Sequence, residues 1–96
     1  MNTKWILSVR ALFTSVYGAG KGAKVCDVVI PAVMGDFRKT ALAAPLGETV
    51  TERYRTDDSR TDITITGCHQ AENTVSVTGI RVGGTPADLG PDPLIL

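Results

Sequence analysis

Val25-Cys26-Asp27-Val28-Val29-Ile30-Pro31 is the stretch on which the reading of this chain turns. Val25, Val28, Val29 and Ile30 are β-branched, and Pro31 closes the run with a residue that cannot donate to a hydrogen-bonded ladder, so the stretch predicts a strand. A second segment, Thr61-Asp62-Ile63-Thr64-Ile65-Thr66-Gly67-Cys68, carries the other cysteine. Each cysteine therefore borders a short β-branched run, and nothing between them has the spacing of zinc ligands. A disulfide between Cys26 and Cys68, stapling two strands, is the expectation. For a loop of this length such a bond contributes about 4 kcal/mol, a large share of what holds a small domain together.

Working outward, Thr61 to Thr66 alternates strictly, with Ile63 and Ile65 on one face and Asp62, Thr64 and Thr66 on the other. Thr74 to Thr78 repeats the pattern with Val75 and Val77 inward, and the two segments suit an antiparallel pair across the loop from Gly67 to Asn73. The predicted core is Val28, Ile63, Ile65, Val75 and Val77. Glu48 to Arg55, through Val50 and Tyr54, reads as an edge strand with one wet face. Ala32 to Asp36 reads as a turn and Thr56 to Arg60 as a polar turn, while Phe37 to Leu46 carries no decisive pattern. Gly83, Gly84 and the prolines at 86, 91 and 93 predict a loop, leaving Leu94-Ile95-Leu96 as the apolar end of an unfinished sheet.

The 96 residues allow one domain, and ten basic against ten acidic side chains give no net field to draw it onto nucleic acid or an anionic membrane. Trp5, Phe13 and Tyr17 all fall in the first twenty residues, so the remainder has only Phe37 and Tyr54 as aromatic filling. Two cysteines in so small a chain favour an oxidising compartment. Met1 to Ala19 admits two readings. It has the positive end, apolar run and small residues of a secretory leader, and equally Leu12, Thr14, Val16, Gly18 and Gly20 share one parity, as on a strand. Arg10 divides the apolar run, so neither half could span a membrane. Gly18 to Lys24 reads as a flexible connection. The organisation expected is a leader and linker over 1–24 and a β domain over 25–96.

No candidate for chemistry is compelling. Cys68-His69 places thiol and imidazole on successive residues, which in a strand point to opposite sides. A metal held by Cys26, Cys68, His69 and one carboxylate lacks a close ligand pair to nucleate it. Asp57, Asp58 and Asp62 lack the glycine and terminal glutamate of a calcium loop. Gly18-Ala19-Gly20-Lys21-Gly22 lacks the Lys-Ser/Thr of a phosphate loop. Arg53, Arg55 and Arg60 are interrupted by acids and have only Tyr54 for stacking, which argues against a nucleic-acid face. The chain reads as neither an enzyme nor a holder of a metal or other cofactor.

Taken in order, Cys26-Asp27-Val28, Pro31, Val33-Met34-Gly35 and Ile63-Thr64-Ile65-Thr66-Gly67-Cys68 resemble the first half of a chaperone-usher fimbrial subunit of the type 1 pilin family. Met34-Gly35 stands where that family has Leu-Gly, Thr61 replaces its usual Phe, and Thr74 to Gly79 is similar to its valine-rich strand after the second cysteine. The resemblance implies an all-β fold, a partial immunoglobulin-like sandwich with one disulfide. It further implies export to the periplasm, a periplasmic chaperone and neighbouring fimbrial subunits as partners, and assembly into an adhesive surface fimbria by donor-strand exchange. A small secreted or periplasmic β binding module stapled by the same disulfide is the alternative.

Overall fold

The computed structural model describes residues 2–55 and 62–96. Among these the chain begins with a helical hairpin, α1 (Thr3–Tyr17) and α2 (Lys21–Leu42). An antiparallel sheet follows, built from β1 (Thr49–Arg55), β2 (Asp62–Ala71), β3 (Thr74–Val82) and the two-residue strands β4 (Thr85–Pro86) and β5 (Leu94–Ile95). The fold is therefore mixed α/β, with helices on one face of one sheet, and the expectation of an all-β immunoglobulin-like sandwich is overturned.

The deciding stretch is helical. Gly22, Cys26, Ile30, Val33, Phe37 and Ala41 are all buried and recur every three or four residues, which is the stripe of a helix lying on a core. That stripe runs through Pro31, whose missing N–H costs α2 one internal hydrogen bond. The burial on either side of it holds the helix together. Val28, expected in the core, stands on the outer side of α2 and is 74% exposed.

Residues Thr3–Tyr17 are likewise helical and not extended. Asn2 caps α1, its Oδ1 accepting from the Lys4 N–H at 2.9 Å, and Trp5, Val9 and Phe13, four apart, are buried. Phe13 stacks on Tyr17 with ring centroids 5.9 Å apart. Gly18 ends the helix in the left-handed region, φ 94°, donating its N–H to the Thr14 carbonyl at 2.8 Å. Residues 18–20 make the turn, and α2 starts at once.

The sheet path is β1-β2-β3-β4, with β5 also on β3. β2 and β3 pair antiparallel as expected, although the ladder extends to Ala71 and the turn narrows to Glu72 and Asn73, the latter at φ 57°. Thr66 faces Gly79 but Gly67 faces Val77, so Thr78 is one residue extra on β3. This bulge changes the parity of β3 and lets Val75 and Val77, then Ile80 and Val82, all point at the helices. With Ile63 and Ile65 they form the sheet side of the core beneath Trp5, Phe13 and Phe37. Gly67 is dictated by the same bulge, since a Cβ there would lie 2.1 Å from the Ser76 carbonyl oxygen.

Leu94-Ile95-Leu96 is tied in. Leu94 is buried opposite Val77, and the Leu96 N–H donates to the Val75 carbonyl at 2.9 Å. The Trp5 indole donates to the Asp92 carbonyl at 3.2 Å, anchoring α1 to this segment. Among the described residues, no helix is long and apolar enough to cross a membrane.

Candidate interaction surface

Cys26 and Cys68 are free thiols. Cys26 lies in the buried stripe of α2, on the helix side of the sheet. Cys68 shares the parity of Thr64 and Thr66 and faces the other way, its Sγ 3.4 Å from the Ser76 hydroxyl. The sheet itself stands between them, so the expected disulfide, with the strand staple it implied, is corrected. Burial pushes the Cys26 thiol above its ordinary pKa, Asp27 adds to this and Arg10 opposes it. Arg10 and Asp27 are themselves paired at 3.0 Å beside the groove that Cys26 and Ile30 help to line.

His69 points to the helix side, where its Nδ1 lies 3.0 Å from the Ala44 carbonyl, while its own carbonyl accepts from the Gly47 N–H at 2.8 Å. Both bonds fasten the α2–β1 connection to β2. Cys68 and His69 thus meet different partners on opposite faces of the sheet. Among the described residues no three of His, Cys, Asp and Glu converge on a metal-sized site. Asp57, Asp58 and Arg60, weighed in the calcium and basic clusters, lie outside the described residues.

What the fold does assemble is a polar sheet face that no helix covers among the described residues. Thr51, Arg53 and Arg55 of β1 alternate onto this face, opposite Thr66, Thr64 and Asp62 of β2. The Thr51 and Thr66 hydroxyls are 3.1 Å apart, and the Thr78 hydroxyl donates to the Thr66 carbonyl at 3.3 Å. Arg53 pairs with Asp62, and the Arg55 guanidinium is 3.7 Å from the same carboxylate. The Arg53 hydrogen bond, reinforced by both positive charges, holds the Asp62 carboxyl below the usual carboxylate range. A shallow hollow of about 600 Å³ lies on the face, floored by Thr51, Thr64, Thr66 and Thr78 and bounded by residues 86–90. Threonine hydroxyls both donate and accept, so this floor suits a hydrogen-bonding partner.

The two edges of the sheet differ. Along β3 the outer edge is filled: Leu96 and β5 cover Val75 to Val77, the Ala87 N–H donates to the Ile80 carbonyl at 3.0 Å, and β4 covers Arg81 and Val82. β1 pairs with β2 alone among the described residues. Along its other side, alternate residues of this seven-residue strand present unpaired backbone donors and acceptors. The sequence marked β1 as an edge strand, but which edge is covered depends on where the 85–96 segment travels, and no local pattern encodes that. No protein-family model, curated protein or solved structure matches this chain.

Proposed function

We propose that this chain is a non-catalytic interaction module that recruits an extended segment of another polypeptide onto the free edge of β1. The observation that carries the reading is the asymmetry of the sheet, one edge filled by the chain's own final residues and the other left open. Main-chain hydrogen bonds along β1 would supply affinity, and Thr51, Arg53 and Arg55, alternating on the uncovered face, would select the side chains of the incoming strand. Donor-strand exchange between fimbrial subunits uses the same backbone chemistry. It completes an immunoglobulin-like sandwich, however, whereas this sheet is packed on helices, so the proposal keeps strand addition and leaves out the fimbria.

Selection of binders from a random peptide library, followed by amide hydrogen exchange, tests this. The expected result is peptides that protect the outward N–H groups of β1 and lose their binding when Thr51→Pro removes a donor from that edge. Binders that leave β1 exchange unchanged would refute the reading.

A further inference from the structure

The partner that best fits the open edge is this same chain. Resting on the strand-addition reading above, we infer that two copies pair β1 to β1, antiparallel, about a twofold axis through Thr51, giving one continuous sheet with both helical hairpins on the same side. Because the outer edge of β3 is already filled by β4, β5 and the chain around them, each copy offers β1 as the one long free edge among the described residues. Edge pairing of that kind is isologous and closes at two copies, so it cannot propagate into a filament.

The charges of β1 choose the register. Facing residues in an antiparallel pair share a face, and like charges directly opposite each other are destabilising. An axis at Glu52 sets that carboxylate against the partner subunit's Glu52, and an axis at Arg53 sets two guanidinium groups together. An axis at Val50 puts Glu48 opposite the partner subunit's Glu52. With the axis at Thr51, Thr49 faces the partner subunit's Arg53, Val50 faces the partner subunit's Glu52, and Glu48 faces the partner subunit's Tyr54. No like charges stand directly opposite each other, and residues 49–53 of the two strands pair with one another.

Threonine supplies the rest. Thr51 already meets Thr66 through hydroxyls 3.1 Å apart. In the proposed register the Thr51 side chains of the two copies face each other at the axis, so the threonine row runs unbroken from Thr66 through both copies of Thr51 to the partner subunit's Thr66. Cross-strand threonine pairs of this type are favourable. The row lies on the uncovered face, and the floors of the two hollows adjoin across the seam.

Sedimentation equilibrium over a concentration series tests the proposal, with charge substitutions at the axis. The wild-type chain is expected to reach dimer and no higher species. Thr51→Lys and Thr51→Glu, each alone, should weaken self-association by at least about tenfold, because each places like charges at the axis. An equimolar mixture of the two variants should form a heterodimer. Circular dichroism of each variant confirms its fold, and the mixing arm remains decisive because a misfolded chain would not be rescued. A wild-type chain that stays monomeric at millimolar concentration overturns the dimer, as does a dimer indifferent to both charges. A monomer whose β1 amides are nonetheless protected by selected peptides would overturn only the self-pairing and leave strand addition standing.

Discussion

Gly22 of α2 packs against the backbone of Thr14 in α1 so closely that a β carbon on the glycine would lie 2.4 Å from the Thr14 α carbon. The hairpin is set at this point by backbone meeting backbone. In a free helix, Gly22→Ala would be stabilising by about 1 kcal/mol. Here the clash should reverse the sign and cost about 1–3 kcal/mol, read as a lower midpoint of urea unfolding. A rise in the midpoint would show that the helices do not meet there.

Trp5 is wholly buried, and its indole donates to the Asp92 carbonyl. Trp5→Ala should cost about 3–5 kcal/mol, and Trp5→Phe much less, since most of the packing is kept and one hydrogen bond of about 1 kcal/mol is lost. Removing residues 2–19 should abolish cooperative thermal unfolding, because Val9 and Phe13 leave the core with Trp5. A shortened chain that still melts cooperatively would place the core entirely within the sheet and α2.

The cysteines give a redox prediction. Unfolding midpoints should be the same with and without reductant, and alkylation in denaturant alone should label both Cys26 and Cys68. Native Cys26 should alkylate far more slowly than in the unfolded chain, because it is buried and its thiol is held above the ordinary pKa. A native mass lower by two hydrogens would contradict this arrangement.

Asp62 should titrate below an ordinary aspartate, whose pKa is about 3.9, because Arg53 donates to its carboxylate and Arg55 adds charge. A depressed folded-state pKa means that this contribution to stability is complete above the unfolded value and fades as pH falls through the folded one. Carbon-detected titration should show a low midpoint in the wild type and a return towards the ordinary value in Arg53→Gln. An unmoved midpoint would remove Arg53 as the cause.

The strands were legible where alternation is local. Ile63 and Ile65, then Val75 and Val77, are fully buried, and β1 is an edge. The bulge at Thr78 was hidden because it depends on pairing with β2, and Ile80 and Val82 were missed with it. The helices failed for a different reason. In residues 25–31 the β-branched side chains and Pro31 state a local preference that the i, i+4 stripe from Gly22 to Ala41 overrides, and that stripe is visible only over a window three times as long. α1 carries the same signal in Trp5, Val9 and Phe13, masked by the leader-like composition around it. The open edge could be read only partly, because the filled edge opposite it is made by residues 85–96 closing on β3 over a long separation.

The bond between Trp5 and Asp92 spans 87 positions. A ribosome making this chain therefore releases α1 long before the residues that receive it. Until β2 and β3 follow, the apolar stripes of both helices have only each other to lie on, joined at Gly22 and Thr14. The loop-closure term for such a contact grows slowly with length, so the delay is felt in the rate of folding more than in the final stability. Nascent chains halted before β2 would carry an exposed helical hairpin, the form in which this protein is most open to chaperones and proteases.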